Sequence, residues 1–292
     1  MFEYFKKAKS LEIRALERLA AAGRLPAPHP GPRPDFAGRL RRRAAGQSLA
    51  VIAEYKRASP SQGNLDLALS PEQAVQAFVQ GGAAAMSILT EKSRFRGRRA
   101  FITRAWEGGA ESFDLPILRK DFILDPLQVR ATAALPAAAL LLIVKLTPQA
   151  ARLRELRLLA ESFGLQVVVE ILDEADLDLA RASGAAIIQV NARNFKDLSV
   201  DMSRTLDLAR RHRAEAGELW IAASGFSRPE ELPAAAEAGF TAALIGTSLM
   251  RGGRPAEALR RLTGGLEKNS GPECPVAGRP VGLSLKTPDR RA

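Results

Sequence analysis

The chain holds one cysteine, Cys274, in 292 residues, and two histidines, His29 and His212. A single thiol excludes a disulfide framework and any cysteine-built metal cluster. Two histidines far apart in sequence give little basis for a metal site, so metal-free chemistry is expected. Aromatic residues make up 5% of the chain, too few to suggest the stacking platforms that hold single-stranded nucleic acid. No apolar run approaches the roughly 20 residues that span a bilayer, the longest lying near 137–144. Residues 1–9 carry charge with no apolar stretch behind it, unlike a secretory leader. These absences predict a cytoplasmic protein that acts away from membranes. No Gly-x-Gly-x-x-Gly follows the first apolar run, which argues against a dinucleotide fold.

What is present begins with charge. Lys and Arg number 43 against 32 Asp and Glu, a formal net charge of +11. The excess gathers at the start, where residues 1–50 hold eleven basic and four acidic side chains. Such a surface draws anionic metabolites, and nucleic acid is not expected as a partner. The sequence is compatible with a monomer or a dimer.

Residues 1–25 read as an amphipathic helix, with Phe5, Leu11, Ile13, Leu16 and Leu19 at near-helical spacing. Five prolines between Pro26 and Pro34 break regular structure, and Asp35 can cap a short helix reaching Leu40. From residue 50 a rhythm begins. Short apolar runs at 51–56, 84–89, 115–118, 139–144, 166–170, 186–190, 219–222 and 242–245 read as strands. Helical patterns follow them at 71–80, 101–110, 126–134, 148–163, 174–183, 202–212, 229–238 and 255–262, several opening on proline at the first turn. Near-continuous apolar strands are buried on both faces, as in parallel sheets. Eight such repeats predict a (β/α)8 TIM barrel at 49–264, with an N-terminal helical extension at 1–48 and a disordered tail at 265–292.

In such barrels the site is built where strands end at their C-terminal side. Glu54 and Lys56 end the first strand and share one side, either as working groups or as an ion pair closing the barrel top. Lys120 follows the third strand and suits a general acid, unless it is a solvated loop lysine. Glu170 ends the fifth and suits a general base, the alternative being a helix cap. Asn191 and Arg193 follow the sixth on one side, amide and planar fork together, a set suited to a carboxylate. Ser224-Gly225 and Gly246-Thr247 end the seventh and eighth, where barrels often hold phosphate.

At these residues the sequence resembles the indole-3-glycerol-phosphate synthase family. The stretch Ile52-Ala53-Glu54-Tyr55-Lys56-Arg57-Ala58-Ser59-Pro60-Ser61 is similar to the family's long signature. Leu89-Thr90-Glu91 with Phe95-Arg96-Gly97, and Leu118-Arg119-Lys120-Asp121-Phe122-Ile123, resemble its second and third strand ends. Val190-Asn191-Ala192-Arg193-Asn194 and Leu244-Ile245-Gly246-Thr247-Ser248-Leu249-Met250 resemble later ones. The likeness covers about residues 1–262. It implies a carbon–carbon lyase of tryptophan biosynthesis that closes the indole ring of 1-(2-carboxyphenylamino)-1-deoxyribulose 5-phosphate, releasing carbon dioxide and water, with no metal or organic cofactor. Carried over, Lys120 is the general acid and Glu170 the general base, while Lys56 assists proton transfer, oriented by Glu54. Asn191, Arg193 and Ser59 hold the carboxylate side, Phe95 and Phe122 line the aromatic pocket, and Ser224, Gly225, Gly246 and Thr247 bind phosphate.

One departure stands out: the family usually has Glu before the seventh-strand Ser-Gly, and here Ala223 stands there. An impaired or non-catalytic relative that binds a phosphorylated ligand is therefore the alternative. A phosphoribosylanthranilate isomerase is disfavoured, since its reaction typically uses a cysteine and the barrel region has none.

Overall fold

Strands that are apolar on both faces need cover on both faces, and a closed barrel wrapped in helices supplies it. In a computed structural model, which describes residues 2–47, 49–195 and 197–264, eight parallel strands close in that way. They are β1 (Ala50–Tyr55), β2 (Ala85–Leu89), β3 (Ile117–Lys120), β4 (Ala139–Ile143), β5 (Gln166–Ile171), β6 (Ile187–Asn191), β7 (Leu219–Ala223) and β8 (Ala242–Ile245). Neighbours in sequence pair in space, and β1 meets β8 with Ala50 opposite Ala242. The fold is a TIM barrel. The expected tail at 265–292 lies outside the described residues.

The helices are α1 (Phe2–Ala21), α2 (Phe36–Gln47), α3 (Pro71–Gln80), α4 (Ala100–Ala105), α5 (Pro126–Ala133), α6 (Ala150–Glu161), α7 (Glu174–Ala182), α8 (Met202–His212), α9 (Glu231–Glu237), α10 (Thr247–Met250) and α11 (Pro255–Thr263). Their starts are written locally. Ser70 with Gln73, and Asp125 with Gln128, form reciprocal capping boxes ahead of Pro71 and Pro126. Asp173 and Asp201 cap α7 and α8 through their side chains. Alternation divides the core in two. Leu118, Leu141, Val168, Ile187, Ile221 and Leu244 fill the barrel, while Met86, Leu140, Val169, Ile188 and Trp220 pack outward against helices.

Several expectations shift. The segment expected as a strand at 115–118 instead runs as a strand from Ile117 to Lys120, so Arg119 and Lys120 belong to the sheet and not to a loop. Pro116 has no N–H to give a ladder, and Leu115 bonds back to Ala110, so pairing starts one residue after the proline. The helix expected at 101–110 ends at Ala105 and passes into a wide turn that breaks at Gly109. The Asp35-initiated helix runs on to Gln47 rather than stopping near Leu40. A small hairpin, Ala58–Ser59 against Gly63–Asn64, sits beyond β1 where no strand is expected.

On α1 the buried side chains are Phe5, Lys9 and Leu16, whereas Leu11 is 67% exposed. Lysine takes an inward place because of what lies beneath it. Lys9 Nζ is 2.6 Å from Asp121 Oδ1 and 2.6 Å from Glu12, and Asp121 also bonds Arg119 at 2.9 Å. Arg119 is fully buried and reaches outward from β3 to Thr132 and the Gln128 carbonyl of α5. This network fastens α1 beside the C-terminal mouth of the barrel.

Candidate active site

A cavity of about 530 Å³ opens at the C-terminal ends of the strands. Twelve of the thirteen residues singled out in the sequence line it: Glu54, Lys56, Phe95, Lys120, Phe122, Glu170, Asn191, Arg193, Ser224, Gly225, Gly246 and Thr247. Ser59 does not. It lies in a small adjoining recess with Lys56 and Arg193, because the hairpin after β1 turns it away from the main chamber.

The centre of the site is one carboxylate shared by two ammonium groups. Glu54 projects from β1 into the barrel, with Lys56 Nζ 2.8 Å from one oxygen and Lys120 Nζ 3.3 Å from the other. Burial alone raises the Glu54 pKa, but Lys120 and then Lys56 outweigh it and hold the carboxyl at about 2. Burial likewise favours a neutral Lys120, yet Glu54 first and Glu170 second push its pKa above the ordinary lysine value. Lys120 therefore meets a ligand protonated. Gly246 of the β8 end closes against this cluster. A Cβ there would stand 2.4 Å from Glu54 Oε1, so a larger residue would displace the carboxylate that the two lysines share.

Glu170 has the opposite balance. It is 1% exposed at the end of β5, and burial raises its pKa despite Lys120 and the amides of Asn191 and Gln189. A carboxylate lifted in this way is a better proton acceptor near neutral pH than an ordinary glutamate. Asn191 faces the same cavity from β6, and its Oδ1 accepts the Arg193 backbone N–H at 3.0 Å. Arg193 is tied to the Leu198 carbonyl at 2.9 Å, which presents its guanidinium along the rim.

Phe95 is placed by Glu91, whose buried carboxylate accepts the backbone N–H groups of Ser93, Arg94 and Phe95 at 2.7, 2.8 and 3.1 Å. Phe122 follows Asp121 directly, so the buried ion network also sets its position. Phe5 of α1 stacks on Phe122 with ring centroids 3.7 Å apart, and Phe2 packs on Phe195 across the mouth. At the far end Ser224 adopts φ 71° and Gly225 φ 94°, a sharp exit from β7 that a non-glycine pays for in strain. A Cβ on Gly225 would also come within 2.6 Å of Met202.

Reasoning from sequence passed over several lining residues. Glu231 borders the cavity but spends its carboxylate on the Ser227 and Arg228 N–H groups. Arg251 and Phe195 sit on loops whose direction no periodicity encodes. Gln189 could have been noticed, since it is a lone polar residue within the apolar run Ile187-Ile188-Gln189-Val190.

The profile of the Indole-3-glycerol phosphate synthase family matches residues 5–262. The chain belongs to this family. Among its relatives, the Indole-3-glycerol phosphate synthase of Chloroherpeton thalassium is 40% identical over 228 residues, which is 78% of this chain and 84% of that protein. The protein of the same description from Magnetococcus marinus is 38% identical over 264 residues, covering 89% and 95%. Among solved structures, the thiamine phosphate pyrophosphorylase of Pyrococcus furiosus aligns with a TM-score of 0.56 at 14% identity, over 76% of this chain and 97% of that one. A 3-hexulose-6-phosphate synthase aligns equally well, at 17% identity over 75% and 99%. At that identity these two share the barrel fold alone. Among the described residues no helix is long and apolar enough to cross a membrane.

Proposed function

We infer that the chain closes the indole ring of 1-(2-carboxyphenylamino)-1-deoxyribulose 5-phosphate, yielding indole-3-glycerol phosphate, carbon dioxide and water. The observation that carries this reading is the pairing of a protonated lysine and a raised-pKa glutamate in one cavity, Lys120 and Glu170, with the Glu54 carboxylate bridging Lys120 and Lys56. We expect the reaction to run in the cytoplasm.

The steps follow from the groups. The ring carbon bearing the carboxylate attacks the ketone carbon, a carbon–carbon bond forms, and the carbonyl oxygen takes a proton from the Lys120 ammonium. The bond to the carboxylate then breaks, its electron pair restores the aromatic ring, and carbon dioxide leaves. Loss of water completes the indole. The new hydroxyl departs with a proton, which Lys56 is placed to supply, while Glu170 accepts the proton released from the neighbouring ring carbon. Glu54 orients both lysines. Asn191 and Arg193 grip the substrate carboxylate, assisted from the adjoining recess by Ser59. Phe95 and Phe122 flank the anthranilate ring, and the β7 and β8 ends at Ser224, Gly225, Gly246 and Thr247 take the phosphate.

Ala223 favours a second reading. It is the register partner of Asn191, fully buried, and brings no carboxylate to the mouth, so an impaired relative that retains the ligand is the alternative. Purified protein supplied with the substrate separates the two. The lyase reading predicts growth of indoleglycerol phosphate fluorescence with many turnovers per chain. Saturable binding of the substrate without product would favour the alternative.

A further inference from the structure

Gln189 lies in the middle of β6 between Ile188 and Val190, completely buried, and beneath the cavity rather than on its wall. A leucine or valine would fill such a place without a polar atom to satisfy. Gln189 is the register partner of Glu170 on β5, so both side chains enter the barrel at one level. Its Nε2 donates to Glu170 Oε2. Its Oε1 is buried and has no hydrogen-bond partner among the described residues.

The second amide that meets Glu170 is held differently. Asn191 bonds Glu170 while its Oδ1 accepts from the Arg193 N–H, so that amide is fixed with its donor side toward the carboxyl. Gln189 has no such tether. The remaining charged groups around Glu170 are Lys120 from β3 and Glu54 from β1, with Lys56 and Arg193 farther along the same cavity, and β4 contributes only apolar Leu141 and Ile143.

We propose that Gln189 is a positioning residue for Glu170, a floor amide that holds the carboxyl toward the cavity and serves it in both protonation states. With Glu170 ionised, Nε2–H donates to it. Once Glu170 has taken a proton, a half-turn of the amide presents Oε1 to the carboxyl O–H, and the turn breaks no other bond because Oε1 has none. A base that must accept a proton and give it back keeps its aim through the cycle. The bond to the charged form is the stronger of the two, so the net effect favours the ionised base. This rests on the proposed role of Glu170 as the base.

The test is kcat and KM across pH for the full chain and for Gln189→Met, Gln189→Glu and Glu170→Gln. Losing the donor in Gln189→Met moves the acid limb of kcat up by about one pH unit, with about a tenfold loss below the limb, recovery at higher pH and KM within about twofold. Gln189→Glu matches the native side chain in size and sets a second carboxyl against Glu170, which moves the limb further in the same direction. It carries the test if the methionine variant does not fold. A limb that stays in place in the folded variants overturns the proposal, as does a fall in kcat that is the same at every pH. Glu170→Gln separates the layers. If it is inactive while the limb is unmoved, the Gln189 proposal alone falls; if it turns over normally, the base assignment falls and takes the proposal with it.

Discussion

Glu54 is a single anion between two cations, and removing its charge should be felt first by Lys120. Apart from burial, which lowers the Lys120 pKa, Glu54 is the largest influence on it and raises it. In Glu54→Gln, burial and Arg193 are opposed by Glu170 alone, and Lys120 loses its proton at lower pH. The alkaline limb of kcat/KM is expected to move downward, with a loss of about 10²-fold or more near neutral pH; a limb in its native place would contradict the shared-anion description. For Glu170 the sign is opposite. Burial raises its pKa and the proposed base works ionised, so the acid limb of the native profile should lie above the ordinary glutamate range. Alternation beside Ile52 made the inward side of Glu54 legible in the sequence, and Asn191 stood out as a polar residue ending an apolar run, whereas Glu170 follows three valines in a row, a run without alternation that leaves its facing open. Arg119 and Asp121 were not legible. Their importance comes from Lys9, more than a hundred residues away, and no local pattern encodes that meeting.

At the scale of elements, the N-terminal helix was legible as a helix but not as a docked one. Spacing nominated Leu11, yet the surface under α1 presents Asp121, and a lysine two residues earlier answers it. Lys9→Met would leave Asp121 buried with Arg119 as its remaining cation. Breaking a buried pair costs about 3–5 kcal/mol, and the surviving arginine sets the expectation at the lower end, measured by denaturant unfolding. The pH sign follows from Asp121, whose pKa burial alone would raise but Lys9 and Arg119 drive far down. Its contribution is full above the ordinary aspartate value and fades only as pH falls through the depressed folded one. Destabilisation by Lys9→Met should accordingly be undiminished at neutral pH. Phe5→Ala addresses the same element from the aromatic side. It removes a fully buried ring stacked on Phe122, with an expected cost of about 3–5 kcal/mol and a raised KM, because Phe122 loses its backing.

At the scale of the whole molecule, the barrel was readable because eight repeats of one pattern admit few closures, and helix starts are marked by Ser70, Asp125, Asp173 and Asp201. The net charge of +11 bears on capture of a substrate carrying both carboxylate and phosphate. Attraction of that kind is screened beyond about 8–10 Å at physiological salt. Rising ionic strength is therefore expected to lower kcat/KM while leaving kcat nearly constant, and a salt-independent kcat/KM would show that surface charge plays no part in encounter. All of this depends on acid–base work in the shared cavity. The most direct measurement is turnover of 1-(2-carboxyphenylamino)-1-deoxyribulose 5-phosphate by the native chain and by Lys120→Met side by side, with folding checked by thermal unfolding. The expected result is steady indoleglycerol phosphate formation by the first and a loss of about 10³-fold or more in an equally folded second; native-like turnover without the lysine would contradict the account.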